Sequence, residues 1–205
     1  MKKLLIYIML VSIIISCKNK KQEDACCKKP ETSTDEKKFN TDITLYDIET
    51  IWTNQENNKM SLSDFKQKKA IVLAMIFTNC KAACPRITAD LQRIEKEIPK
   101  DELDNVAFVL VTMDPDRDTP EQLKEFAGIH QLDLKRWTLL TATPSEVLEF
   151  ANVLNVRINK TEDGNFDHSN IIHIINSNGN IVHQQIGLDI NPTESIDIIK
   201  SILSK

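Results

Sequence analysis

Cys80 and Cys84 stand four residues apart at the end of an apolar run, residues 71–77, and at the start of an amphipathic segment. The run has the length and composition of a buried central strand. Beyond Cys84, the apolar residues Ile87, Leu91, Ile94 and Ile98 recur at helical spacing. Pro85 suits a first helical turn, where a missing N–H costs nothing. The thiols are therefore expected where a strand hands over to a helix N-terminus. Free amide N–H groups and the helix dipole there favour a thiolate over a thiol. A thiolate pair at that point can hold a soft metal ion or exchange with a disulfide.

An imidazole is the natural third group. The chain has four histidines, His130, His168, His173 and His183. His130 follows the end of a predicted helix and is expected in solvent. His173 and His183 lie within predicted strands. His168 lies in a polar loop, residues 164–170, just before those strands, and is the one placed to meet the thiols. Two thiolates and an imidazole form a soft set that takes Cu(I) through sulfur and Cu(II) through nitrogen. Zinc would want a fourth ligand, and none stands nearby in the sequence. Asp167 is positioned to accept the second N–H of an imidazole.

The elements that must position these groups can be read in order. Residues 42–52 read as an entry strand or hairpin and residues 61–65 as a short helical turn. Residues 105–114 hold a second buried strand, and 137–140 a third. Thr119-Pro120-Glu121-Gln122, Thr143-Pro144-Ser145-Glu146 and Asn191-Pro192-Thr193-Glu194 are helix starts with a capping residue and an early proline. The first of these helices is expected to stop at Gly128. Residues 171–176 and 181–186 flank Asn178-Gly179, a hairpin turn signal. Strands, crossover helices and an edge hairpin give an α/β fold with a central mixed sheet flanked by helices and an N-terminal strand or hairpin extension. A strand–thiol–helix unit early and a hairpin late is the thioredoxin-like order. No proline falls between Pro144 and Pro192, so His168 occupies the loop where a thioredoxin carries its cis-proline.

The N-terminus is built differently. Lys2 and Lys3 precede 12 apolar-rich residues, 4–15, too few to span a bilayer, for which about 20 are needed. Ile14-Ile15-Ser16-Cys17 resembles a bacterial lipoprotein box, which implies a signal peptide over 1–16 and a lipid on Cys17. Residues 18–40 carry seven Lys and five acidic residues with almost nothing apolar and read as a disordered tether over 17–40. Its reach is roughly 25 Å as a coil. The folded body is then 41–205, outside the cytoplasm on the periplasmic side and held to a membrane. Cys26 and Cys27, adjacent in the tether, are expected either to have no role in the site or to capture metal or exchange thiols, rather than to staple the fold. The chain carries a formal net charge of −4 with no basic block, which excludes an ordinary nucleic-acid binder.

Three separated motifs now align with a known family. Residues 77–85 (Phe-Thr-Asn-Cys-Lys-Ala-Ala-Cys-Pro), 112–120 (Thr-Met-Asp-Pro-Asp-Arg-Asp-Thr-Pro) and Asp167-His168-Ser169 resemble the signatures of the Sco/SenC family. Its members are membrane-tethered, thioredoxin-like copper proteins that help assemble the binuclear copper centre of cytochrome c oxidase. The resemblance covers about residues 42–203. It implies Cys80, Cys84 and His168 as copper ligands and the oxidase copper subunit, or another copper or thiol protein, as partner. Many members have Pro-Asp after the first cysteine where this chain has Lys81-Ala82, a change that leaves the ligands in place. Asp116, Arg117 and Asp118 are expected either to pair with one another ahead of a capped helix or to support the metal end. Met113 is expected in the core.

The leading reading is a copper metallochaperone. The alternative is an extracytoplasmic thiol–disulfide oxidoreductase using Cys80 and Cys84. A binding or sensing lipoprotein without turnover is a further option. A peroxiredoxin-type peroxidase is disfavoured because Thr78 stands two residues before Cys80 rather than three, and an upstream proline is missing.

Overall fold

Seven apolar residues in a row cannot be half-solvated, and Ala70–Ile76 forms a strand buried along its whole length, β3. The computed structural model describes residues 44–162 and 164–205. The expected signal peptide, the lipidation site Cys17, the tether and the Cys26-Cys27 pair lie outside the described residues.

A 3₁₀ turn at Leu45–Asp47 comes first, closed by a reciprocal capping box between Thr44 and Asp47. Strands β1 (Trp52–Asn54) and β2 (Lys59–Met60) form a hairpin that begins where the expected entry strand was to end. A second 3₁₀ turn, Leu62–Phe65, leads into β3. Then follow α1 (Ala83–Glu97), β4 (Val106–Thr112), α2 (Pro120–Ile129), β5 (Trp137–Thr141) and α3 (Pro144–Val153). Two short strands, β6 (Ile158–Lys160) and β7 (Phe166–His168), precede the hairpin β8 (Ile171–Asn176) and β9 (Ile181–Ile186), and α4 (Thr193–Leu203) ends the fold.

The main sheet runs β2-β1-β5-β4-β3-β8-β9. β3, β4 and β5 are parallel, while β8, β9 and the β1–β2 hairpin run antiparallel at the two sides. This is the expected central mixed sheet flanked by helices. Right-handed crossovers from β3 to β4 and from β4 to β5 step the same way across the sheet, which puts α1 and α2 on one face; α1 also meets α4. Helix α1 drops Ile87, Leu91 and Ile94 into the core, all fully buried, each contributing roughly 2 kcal/mol of apolar burial. Phe108 and Trp137 stack at 4.9 Å, and Glu95 of α1 accepts the Trp137 indole N–H at 2.9 Å.

Several helix ends differ from expectation. α2 runs past Gly128, and Gln131 takes the left-handed conformation at φ 54°. The amides of Gln131 and Leu132 then bond Gly128 and Ala127, a Schellman closure. Asn155 does the same after α3. In the β8–β9 turn only Gly179 has positive φ, at 81°. Asn176 lends its side-chain oxygen to the amides of Asn178 and Asn180, so the loop is not the two-residue turn that Asn-Gly announces. At the start of α4, Pro192 holds the cap position and Asn191 reaches over it to the Thr193 amide.

His173 sits mid-strand in β8, fully buried. Gln184 of β9 donates to its Nδ1 at 3.1 Å, which leaves the ring proton on Nε2, where it has no partner. Burial pushes its pKa down to about 3. Above pH 6.5 the ring is neutral in both folded and unfolded chains. Below that, the unfolded chain takes up a proton that the folded chain refuses, so stability falls with pH across the window from 6.5 to about 3. Replacing His173 by Leu is expected to remove a slope of roughly 1.4 kcal/mol per pH unit in that window, read from urea unfolding at pH 7, 5.5 and 4.5. Parallel losses in both proteins would show that His173 does not titrate this way.

Candidate functional site

The C-terminal ends of β3 and β4 open into two loops; Cys80 stands in the first and Cys84 in the opening turn of α1 that follows it. Helix α1 begins at Ala83 with Ala82 at its cap position, and Ala82 makes no side-chain cap bond. The sulfur of Cys80 takes that role: the Cys84 amide donates to Cys80 Sγ at 3.3 Å. The Phe77 amide, just beyond β3, donates to Cys84 Sγ at 3.3 Å. Each sulfur thus receives a backbone N–H, one from the helix and one from the strand end. Cys84 is completely buried, Cys80 half-buried, and both are free thiols.

This placement splits the two thiols. The hydrogen bond from the Cys84 side chain, with backbone N–H groups of residues 82–84, holds the Cys80 pKa down to about 5. Cys84 moves far up, because it shares its proton with Cys80, is buried, and faces the charges of Cys80 and Asp118. The pair at neutral pH is a thiolate at Cys80 hydrogen-bonded by a protonated Cys84.

His168 is not in a loop. It ends β7, which pairs with β6 in a two-stranded ribbon with His168 opposite Ile158. Its Nδ1 lies 3.1 Å from the Ser169 carbonyl oxygen. A carbonyl can only accept, so Nδ1 carries the proton and Nε2 keeps a free lone pair. The imidazole stands edge-on to Phe77, ring centres 6.0 Å apart, and Phe166 packs on the same ring at 5.2 Å. Phe77 therefore touches all parts of the site: its amide binds Cys84 and its ring carries the ribbon. The proton acceptor for His168 is Ser169 rather than Asp167, whose side chain is exposed on β7.

The second loop does more than pair with itself. Arg117 binds the buried Asp114 and reaches the Gly164 carbonyl at 2.6 Å, with its guanidinium 5.8 Å over Phe166. It thereby fastens the ribbon. Asp118 is fully buried and turns the other way, to Thr78 and Thr112. Burial raises its pKa. Neither residue pairs with the other or with Asp116. Met113 is buried in the core, as expected.

The remaining histidines are elsewhere. His130 caps α2 and stacks on Phe126 at 4.2 Å instead of standing free in solvent, while half-buried His183 on β9 approaches Glu194 at 3.9 Å. Phe77 and Phe166 were not foreseen as site residues, because the aromatic pair has no periodic signal. Of the two expectations for Asp118, support of the metal end is the one its bonds favour, and its partner Thr78, 40 residues away, leaves no local signal.

Two sulfurs and an imidazole nitrogen fit copper by donor type. Among the described residues, no three His, Cys, Asp or Glu side chains already surround a single point. The two thiols stand together at the start of α1, and His168 rests on the Phe77 ring at the end of the β6–β7 ribbon.

Comparison with known proteins agrees with this arrangement. A family model described as SCO1/SenC matches residues 48–204. The SCO1 protein homolog of Bacillus subtilis is 30% identical over 164 residues, covering 78% of this chain and 82% of the relative. The crystal structure of a SCO1/SenC family lipoprotein from Bacillus anthracis superimposes with a TM-score of 0.69 at 32% identity, over 78% of this chain and 96% of that one. A copper-bound ScoI of Arabidopsis thaliana shares the fold, with a TM-score of 0.66 at 22% identity over 76% and 96% of the two chains. The matched region takes in both thiols, the Asp114–Asp118 loop and the histidine ribbon, and the chain belongs to the SCO1/SenC family.

Proposed function

We propose that this chain binds copper through Cys80, Cys84 and His168 and hands it to a thiol-bearing acceptor, the copper subunit of cytochrome c oxidase or another copper protein. The observation that carries this reading is the sulfur pair at the α1 N-terminus, with His168 packed on the Phe77 ring beside it and its Nδ1, not its Nε2, engaged by the Ser169 carbonyl. Copper-bound and lipoprotein relatives support it. A lipid on Cys17 would hold the body at a membrane surface, with residues 18–40 as its tether. Transfer then proceeds by ligand exchange: an acceptor thiolate enters at half-exposed Cys80, and the buried Cys84 leaves last.

A second reading has its own support. A half-exposed thiolate backed by a buried, protonated thiol is also the arrangement of an attacking and a resolving cysteine. The two readings separate at His168, which copper needs and disulfide exchange does not.

Anaerobic titration of the reduced full chain in detergent with Cu(I) and Cu(II) is expected to saturate at one copper per chain. His168→Ala should weaken Cu(II) binding by about tenfold or more while leaving the rate of disulfide exchange with a model disulfide within about twofold. A wild-type protein that ignores copper yet reduces disulfides quickly would establish the oxidoreductase instead.

The thiol asymmetry makes a separate prediction. Iodoacetamide should modify Cys80 with a midpoint near pH 5, since the thiolate is populated above its pKa of about 5, while Cys84 stays unmodified. Because Cys80 is already ionised at pH 7, Cu(I) uptake should release about one proton, not two. A midpoint near 8.5, the ordinary thiol value, would mean that the helix terminus does not hold a thiolate.

A further inference from the structure

The Asp118 carboxylate is fully buried, and no Lys, Arg or His forms an ion pair with it among the described residues. Such a group is costly unless hydrogen bonds hold it. It is held by three, and two of them come from a single residue of the thiol loop. The Thr78 amide donates to Oδ2 at 3.0 Å, the Thr78 hydroxyl donates to Oδ1 at 2.6 Å, and the Thr112 hydroxyl donates to Oδ2 at 2.5 Å. Asp118 is itself fixed by its own amide to the Asp114 carbonyl at 2.9 Å. Thr112 ends β4, and Thr78 lies two residues before Cys80. The carboxylate thus ties the thiol loop to the end of the neighbouring strand.

The clamp is needed because little else holds that stretch. Between the end of β3 and the start of α1, residues 77–82 have no regular structure. Three of its anchors lie within the strand–helix unit itself, the Phe77 amide on Cys84, the Cys80 amide on the Phe77 carbonyl at 3.2 Å and the Cys84 amide on the Cys80 sulfur, and the bidentate grip of Asp118 on Thr78 ties it sideways to β4. Lys81 and Ala82 are exposed. A six-residue link with one lateral anchor moves with that anchor.

We infer that Asp118 is a positioning residue for the metal site: through its two bonds to Thr78 it sets where the Cys80 sulfur stands relative to Cys84. It binds no copper itself, and the inference rests on the copper reading above only for its metal readout. The hydrogen-bond pattern, not the charge, does the holding. An asparagine can present its oxygen to the Thr78 amide and the Thr112 hydroxyl and donate its NH₂ to the Thr78 hydroxyl, so the conservative change preserves the clamp.

The test uses the reduced full chain in detergent and four variants: Asp118→Ala, Asp118→Asn, Thr78→Val, and Asp118→Ala with Thr78→Val. Without metal, hydrogen exchange followed by mass spectrometry over residues 77–84 should speed up about tenfold in Asp118→Ala, with the core strands unchanged, and stay near wild type in Asp118→Asn. With metal, Cu(II) affinity should fall about tenfold in Asp118→Ala and less than threefold in Asp118→Asn. The double variant should be no worse than Asp118→Ala alone, because both changes remove one connection. A lower melting temperature in Asp118→Ala with unaltered loop exchange and copper affinity would reduce Asp118 to an ordinary stabilising residue. Equal damage in Asp118→Asn would mean that the charge matters and the placement does not. If the wild type takes up no copper, the copper reading fails, and the metal-free exchange still decides whether the clamp exists.

Discussion

The sulfur of Cys80 accepting the Cys84 amide is the contact on which the rest of this end of the molecule depends. A helix leaves its first N–H groups unsatisfied, and the usual remedy is a Ser, Thr, Asp or Asn at the cap. Helix α1 has Ala82 there, so its first turn has no ordinary cap. The protein fills the gap with a thiolate, which the helix dipole favours in return. One interaction therefore caps the helix and, together with the stronger hydrogen bond from the Cys84 side chain, helps hold Cys80 as a thiolate. It also couples stability to chemistry: a metal ion or a disulfide that claims this sulfur takes away the cap of α1.

The second sulfur is held from the other side. The Phe77 amide, the first beyond β3, points at Cys84 Sγ, and the fully buried strand gives it no freedom to turn away. Two loops then close over the pair in complementary ways. Asp118 fastens the thiol loop from below, while Arg117, its neighbour in sequence, fastens the β6–β7 ribbon through Gly164 and Phe166. Adjacent residues of one loop thus hold the sulfur side and the imidazole side. The difference between the two grips follows from burial. Asp118 is sealed from water, where its hydrogen bonds are strong and expensive to break, whereas the exposed Arg117 contacts the ribbon through one carbonyl and a ring face. The sulfur side is the fixed half of the site, and the imidazole side is the half free to adjust.

What the sequence disclosed and what it hid follow from the range of the forces involved. The strand before Cys80 and the helix after Cys84 are written in local periodicity, and a reader sees them at once. The same holds for the Thr143–Glu146 capping box, which forms as spelled, and for the paired runs of β8 and β9. Short polar strands carry no such signal: Asn159, Lys160 and Asp167 alternate with nothing, so the ribbon that bears His168 read as loop. Gly128 looked like the stop of α2, yet Gln131 closes it, because the end is set by where Leu132 can be buried and not by where glycine is cheapest. The Asp118–Thr78 link spans 40 residues and is invisible to any local rule. Copper was legible from the donor types once His168 was set beside the thiols, and its acceptor only as a family resemblance. From donor types alone the thiols left open both metal binding and disulfide exchange.

His168 is the residue at which those two chemistries part. A histidine that merely ordered the ribbon would satisfy both nitrogens. Here Nδ1 is bonded to the Ser169 carbonyl, a partner that places the proton on that nitrogen and leaves the lone pair on Nε2. Disulfide exchange at Cys80 has no use for a lone pair held against an aromatic ring, since Cys80 is already a thiolate without it. A metal ion does: two thiolates alone bind Cu(I) in a linear pair, and a nitrogen must come in if the site is to hold Cu(II) as well. With the sulfurs fixed and the ribbon resting on the face and edge of Phe77, moving the imidazole toward or away from the pair changes the ligand set without unfolding anything. On the proposed copper reading, a chain that accepts an ion and later releases it gains from carrying His168 on the ribbon rather than on the buried strand.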